Sequence, residues 1–372
     1  MKLIALGDIH IDDSLPYSDP PGNRLEEELI PAWTQVLKYA QEHKIINMAL
    51  SGDTFNNISV SPRELCAFLQ MFKLASTHGI QNIYANSGNH ELDEKGFSII
   101  QYLKEIGFIK LWHPEHLSRC CIIGDFCMHM INFCHEETDF LKTLHSTLEN
   151  CNAKRRILLA HQAVRGSKLK AIKSAKGLSE ELFKKSGMLG ANFALCIFGD
   201  FHRSQDLPYK KGFYTGCIVQ QDFRDEGSTP SFYVVDTTDM SYKRIPLDVP
   251  CFHTVIVEEA ENTHISKIEH SGYIKIVLTG TAKFVKDFTN SKQLDKLVKY
   301  YKKEYKPRRV VIASPHITEK IIPTKAMMRQ LNDEELIQQV IDNDTTSEVP
   351  DKKLYLNGLN FIKRARILQR RR

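Results

Sequence analysis

The strongest constraint on this chain is a set of five short apolar runs, at residues 2–6, 46–50, 82–85, 156–160 and 193–198, each ending close to a small residue or turn and then an oxygen or imidazole side chain. Runs of this length, bounded by turn formers, suit buried strands. Between the first three, residues 25–43 place Leu29, Trp33, Val36, Leu37 and Ala40 on one helical face, and residues 62–78 do the same with Leu65, Phe68, Leu69, Phe72 and Ala75. Pro62 fits a first helical turn. Strand, helix, strand, helix, strand predicts an α/β layer with helices covering a sheet. Residues 120–133, 213–219 and 231–236 then read as consecutive strands, which predicts a second sheet packed on the first.

The strand ends share one grammar: Gly7-Asp8-Ile9-His10, Gly52-Asp53-Thr54-Phe55, Gly88-Asn89-His90-Glu91, Ala160-His161-Gln162 and Gly199-Asp200-Phe201-His202. In open α/β sheets ligands gather outside the carboxyl ends of the strands, so these loops can converge. Each signal alone is weak, but the ordered set is strong. Carboxylate, carboxamide and imidazole donors suit manganese, iron, zinc or magnesium. Two such ions about 3.5 to 4 Å apart can share a carboxylate, for which Asp53 is the candidate, and can acidify a bound water for in-line attack on phosphorus. No protein nucleophile is then required. His113, His116, His129, His135, His253 and His316 lack the strand-end context and are left out of the set.

These residues resemble the calcineurin-like metallophosphoesterases, whose pattern is Asp-x-His, Gly-Asp, Gly-Asn-His, His and Gly-His-x-His in that order. The likeness covers roughly the first 240 residues. It implies a four-layer sandwich of two sheets flanked by helices, with a metallophosphoesterase domain over residues 1–250, a small α/β capping domain over 251–325 and a helical partner-binding tail over 326–372. Gly52-Asp53-Thr54-Phe55, Tyr214-Thr215-Gly216-Cys217, Gln220-Gln221-Asp222-Phe223 and residues 232–236 look more like the nuclease subunit of the SbcCD double-strand-break repair complex than like the protein phosphatases. By position, that resemblance puts Asp8, His10 and His202 on a first metal, Asp53 on both, and Asn89 and His161 on a second, with His90 protonating the departing oxygen. Asp200 stands where the family has the first His of Gly-His-x-His, and as a harder, anionic ligand it would shift the second site towards manganese or magnesium. Asn56 stands where these nucleases often carry an acidic residue or His.

The same resemblance implies two divalent ions, Mn2+ in the first place or Mg2+, a DNA substrate, a homodimer and an SbcC-like coiled-coil ATPase partner. The chain has no Gly-x4-Gly-Lys-Ser/Thr loop, so ATP dependence would come from that partner. Charge is uneven: residues 251–372 hold 23 Lys and Arg against 15 Asp and Glu, net +8, and the first 250 residues are net −3. The run Lys296, Lys299, Lys302, Lys303, Lys306, Arg308 and Arg309, interleaved with Tyr300, Tyr301 and Tyr305, reads either as a solvated helix face or as a track for a phosphate backbone. Lys363, Arg364, Arg366 and Arg370 to Arg372 leave the same choice open. Two amphipathic patterns, with Leu336, Ile337, Val340 and Ile341 and with Leu359, Ile362, Ala365 and Ile367, predict helices too short to bury much alone, which either fold back on the body or, the favoured reading, dock on another protein.

Apolar residues at 42% and charged residues at 26% exclude collagen-like, coiled-coil and wholly disordered chains. No apolar run approaches the 18 or so residues of a membrane span, and the N-terminal apolar stretch is too short for a signal-peptide core. Nine Cys without a Cys-x-x-Cys read as reduced thiols in a cytoplasmic compartment, and a thiolate zinc site is not expected. Two rival functions stay open: a phosphatase or small-molecule phosphodiesterase of the same superfamily, and a DNA-binding assembly subunit whose site is weakened through Asp200.

Overall fold

The computed structural model describes residues 1–13, 24–103, 110–124, 126–149, 151, 153, 155–169, 172–173, 177–208, 212–259 and 271–318. Strand β1 (Lys2–Leu6) is buried along all but its first residue. A π-helical turn at Leu25–Leu29 leads into α1 (Ile30–Glu42). The apolar spacing runs on from residue 25, but Pro31 has no N–H to give and its ring crowds the preceding turn, so that turn winds wide before the regular helix begins. There follow β2 (Asn47–Ser51), α2 (Pro62–Thr77), β3 (Asn82–Asn86), α3 (Ile100–Leu103) and β4 (Lys110–Trp112). β1 to β4 pair in parallel. Ser61 and Glu64 form a reciprocal capping box that starts α2: Glu64 N–H donates to Ser61 Oγ at 3.2 Å and Ser61 N–H to Glu64 Oε2 at 2.6 Å. Trp33, Val36, Leu37, Phe68 and Phe72 cover the outer face of this sheet against Ile4, Leu6, Met48, Leu50 and Ile83. The Trp33 indole N–H donates to the Met71 carbonyl at 2.8 Å, tying α1 to α2.

The chain continues with β5 (Ser118–Ile123), β6 (Phe126–Ile131), α4 (Glu137–Glu149), β7 (Arg156–His161), a separate two-stranded ribbon of β8 (Lys168–Leu169) and β9 (Ile172–Lys173), α5 (Met188–Asn192), β10 (Leu195–Gly199), β11 (Gln205–Asp206) and β12 (Gly212–Tyr214), and six of these strands form the second sheet. Its order is β11-β12-β10-β7-β6-β5. The chain then returns: β13 (Ser231–Asp236) lies antiparallel to β1, from Lys2↔Asp236 to Ala5↔Tyr233, and β14 (Ser241–Pro246) pairs beyond it. Residues 231–236 are therefore a strand of the first sheet and not of the second. The alternation explains it, because Phe232 joins the helix-covered core while Tyr233 and Val235 fill the space between the sheets. Residues 213–219 are strand only through Tyr214, since Gly216 at φ +69° turns the chain out of the ladder.

Between the sheets Leu3, Ala5, Ala49 and Tyr84 meet Met128, Met130, Ile157, Leu159, Ile197 and Phe213. Phe140, Leu144, Leu189 and Phe193 cover the outer side of the second sheet. Helix, sheet, sheet, helix is the four-layer sandwich that the sequence predicts.

After β14 come β15 (Cys251–Glu258), β16 (Ser271–Gly280), α6 (Ala282–Asn290), α7 (Lys292–Tyr305), β17 (Arg309–Ile312) and β18 (His316–Ile317). By compactness the described chain divides into a large unit of residues 1–255, 271–276 and 296–313 and a small one of 256–259, 277–295 and 314–318. In the large unit the start of β16 runs parallel to β17, and Phe252 stacks on Tyr273 with ring centroids 4.4 Å apart. In the small unit Thr279 and Gly280 pair with His316 and Ile317, and Thr281 Oγ1 caps α6 by accepting from Phe284 N–H at 3.1 Å. The helices expected over residues 331–369 and the basic residues at 363–372 lie outside the described residues. No helix among the described residues is long and apolar enough to cross a membrane.

Candidate metal centre

Because β1, β2 and β3 run parallel in one sheet and β7 and β10 in the other, the loops at their carboxyl ends can share one edge of the sandwich. The backbone there is strained. Asp8, His10 and Asp53 have φ of 46°, 48° and 48°, and Asp200 has φ of 103°. Non-glycine residues in this region cost about 1–3 kcal/mol each, a strain that concentrates at functional sites. The strain is held by neighbouring chain: Asp8 N–H donates to Gly52 O at 3.1 Å and His10 N–H to Asp53 O at 2.9 Å. A side chain at Gly88 would overlap the Asp53 carboxylate, so that loop approaches only as glycine. Buried Glu91 ties the β2 and β3 loops together by accepting from Phe55 N–H at 2.9 Å and from Gly88 N–H at 3.0 Å.

The structure brings all eight sequence-predicted residues together. Donor atoms of Asp8, His10 and His202 lie within 4.8 Å of one another, as do those of Asp8, Asp53 and His161 and those of His10, Asp53 and His90. Asp53 Oδ2 stands between the groups, 3.6 Å from His10 Nε2, 3.3 Å from His161 Nε2 and 3.9 Å from His90 Nε2. Asn89 Oδ1 is 3.2 Å from His161 Nε2. Asp200 reaches the cluster twice: its N–H donates to Asp8 Oδ1 at 3.1 Å, and its Oδ1 is 4.0 Å from His161 Nε2.

Each imidazole is anchored through Nδ1 to an acceptor. His10 Nδ1 faces Asn56 Oδ1 at 3.0 Å, His161 Nδ1 the Ser51 carbonyl at 2.8 Å, His202 Nδ1 the Asp225 carboxylate at 2.9 Å, and His90 Nδ1 the Asn56 carbonyl at 3.0 Å. Such acceptors put the proton on Nδ1 and turn every Nε2 inward as a potential ligand. Two of these, His10 Nε2 and His202 Nε2, are only 3.1 Å apart. Asp8 Oδ2 is buried with no hydrogen-bond partner among the described residues. Inward Nε2 atoms, an orphaned carboxylate oxygen and a central carboxylate form a donor set that fits divalent cations.

Without metal, protons take those places. Burial opposes charge on His161 and His202, but carboxylates outweigh it: Asp53 lifts His161 to about 10, and Asp225 lifts His202 to about 9. Burial drives His10 down to about 3 and Asp8 up to about 7. Asp53 is held well below the usual carboxylate range, burial being outweighed by His161, His10 and His90. Burial raises Asp200 as well.

Three residues escaped sequence reasoning. Asp225, in a short turn 23 positions after His202, has no motif to mark it. Glu91 ends the Gly-Asn-His-Glu motif, which by itself gives it no role. Asn56 has no role legible in the sequence, and it holds two histidines at once, one by its side chain and one by its backbone.

The model of the calcineurin-like phosphoesterase family matches residues 1–204. Two solved structures are similar at low identity. One is an archaeal phosphodiesterase, 13% identical with a TM-score of 0.34, the match covering 66% of this chain and 100% of that one. The other is the sulfate thiohydrolase SoxB of Thermus thermophilus in complex with glycerol, 10% identical with a TM-score of 0.35, covering 66% of this chain and 56% of that one. With 204 of 372 residues matched by the family model, and with its Asp, Asn and His residues converging on a common donor set, the chain belongs to the calcineurin-like phosphoesterases, phosphoester-hydrolysing enzymes with dinuclear metal centres.

Proposed function

We propose that this chain is a manganese-dependent phosphodiesterase that cleaves DNA. Asp8, His10 and His202 would hold one ion, Asn89, His161 and Asp200 the other, and Asp53 both. When bound, the two ions supply positive charge to the phosphate and a water acidic enough to attack at neutral pH. The chain's own residues do the rest. Asp53 keeps its negative charge between the two donor groups, and Asn56, Ser51 and Asp225 hold the imidazoles in register. His90 is the most exposed of the four histidines, with its side chain 43% accessible, and in its cationic form its Nε2 would give a proton to the leaving oxygen.

The nucleic-acid part of the reading is carried by α7. Within the large unit it buries Leu297 and Tyr301 and exposes Lys296, Lys299, Lys302 and Lys303, with Lys306 and Arg309 following, and residues 251–372 carry net +8. A long charged face suits a polymeric phosphate backbone and has no use for a small ester. An SbcC-like ATPase partner, for which residues 326–372 are the proposed dock, and a homodimer complete the reading.

The test uses the full chain, linear duplex DNA and manganese. Cleavage that a chelator abolishes is expected, with DNA affinity falling by about 0.9 log units per log unit of salt for each phosphate neutralised. Turnover of a small aryl phosphodiester with no DNA cleavage and a flat salt dependence would overturn the nuclease and leave the phosphoesterase standing.

Two further outcomes follow from the ligand assignment. Asp225→Ala removes the anchor of His202 and is expected to weaken divalent-ion binding by about 10–100-fold in an equilibrium titration. An unchanged affinity would deny Asp225 that role. Metal binding should also release protons, because the ions displace those on His202 and His161, raised to about 9 and 10 in the metal-free protein. The sign is fixed: below those values protons compete, so each ion's affinity rises by about tenfold per pH unit from pH 7 towards pH 9. Calorimetry in buffers of different ionisation enthalpy counts the protons.

A further inference from the structure

Three cysteines and a histidine that share no sequence motif come together beside Arg156, the first residue of β7, the strand whose last residue is His161. Cys120 lies on β5, Cys127 and His129 on β6, and Cys151 in the connection after α4. The hairpin register sets Cys120 opposite His129, and Cys127 two residues from His129 on the same face of β6. The three sulfurs and one imidazole nitrogen all lie within 4.8 Å of one another.

A second observation points to a ligand. His129 is 0% exposed, and neither Nδ1 nor Nε2 has a hydrogen-bond partner among the described residues. Leaving two buried imidazole nitrogens unsatisfied costs about 1–3 kcal/mol per group. Its ring packs edge-on against Phe193, with centroids 5.3 Å apart. The sulfurs are free thiols, since none of the nine cysteines is in a disulfide.

We propose that Cys120, Cys127, Cys151 and His129 form a second, structural metal site for a soft, tetrahedral divalent ion of the zinc class, separate from the phosphoesterase centre. Metal–sulfur bonds of about 2.3 Å and a metal–nitrogen bond of about 2.0 Å put tetrahedral ligands about 3.5–3.8 Å apart, so the observed set needs to close by at most about an ångström. On binding, each thiol gives its proton to solvent. Three thiolates and a dication leave one net negative charge, and Arg156 is placed to balance it: it pairs with Cys127 in the β6–β7 register and donates from Nη2 to the Cys151 carbonyl at 3.0 Å. The ion would pin the β5–β6 hairpin to the segment leaving α4. The absence of any Cys-x-x-Cys argued against a thiolate site from sequence, but here strand pairing supplies the proximity that the spacing lacks.

Cobalt(II) gives the test, because thiolate-to-cobalt charge transfer absorbs in the near ultraviolet and a centre of oxygen and imidazole donors has no such band. The full chain, reduced and loaded with cobalt, is expected to show the band at one equivalent and to lose it when zinc is added. Cys127→Ser and Cys151→Ser should each abolish it, while His10→Ala, which disrupts only the other centre, should retain it. The wild-type spectrum decides even if a cysteine variant fails to fold. A folded, reduced wild-type chain with no band at saturating cobalt overturns the proposal. So does a band that survives in both cysteine variants, or a disulfide joining two of the three sulfurs in protein kept under reductant.

Discussion

Asp53→Asn is expected to take phosphoester hydrolysis to background, a loss of ~10³-fold or more, and to lower the bound divalent ions from two to one or none. The size follows from position. Asp53 Oδ2 is 3.6 Å from the His10 nitrogen on one side and 3.3 Å from the His161 nitrogen on the other, so one oxygen serves both donor groups. Asn has nearly the same shape and hydrogen-bonding reach, and what it removes is the charge. Two cations then face each other without their shared anion, and if that forfeits several kcal/mol of transition-state stabilisation, at about 1.4 kcal/mol per decade the rate falls by three decades or more. Initial rates with metal analysis of the same preparation check both halves. Two retained ions with a rate near wild type would sink the bridging role.

The candidate site was legible because its chemistry sits where the chain has least freedom. A buried strand must end, the loop that follows must turn tightly, and Asp8, Asp53 and Asp200 each stand one residue after a glycine at such an end. The sandwich was legible for the same reason, through strand-length runs separated by helical faces. What stayed hidden depends on pairing between distant segments. Residues 231–236 have a strand pattern that either sheet could use, and only the partner β1 decides. Asp225 acts through its distance from His202, which no spacing rule encodes. The cysteines at 120, 127 and 151 look scattered until the hairpin folds Cys120 across from His129. Spacing reports local geometry well, whereas contacts across layers emerge only when the register is known.

His90→Ala is expected to lower kcat by about 10²–10⁴-fold while both ions stay bound, the range usual for losing a positioned general acid. Two observations separate His90 from its neighbours. Its side chain is 43% exposed, against 2% for His10 and 0% for His161, and its Nε2 is 3.9 Å from Asp53, farther than either of those rings. A ring so placed can reach an incoming phosphate without being consumed as a ligand. Proton donation matters only when the departing oxygen is basic, so the leaving group discriminates the role. With a phosphodiester of an alkyl alcohol or a nucleoside, the variant should show the full loss. With a nitrophenyl leaving group, which departs unprotonated, it should recover most of the wild-type rate. Equal losses on both substrates would mean that His90 binds the phosphate or shapes the loop, and proton donation would have to be reassigned.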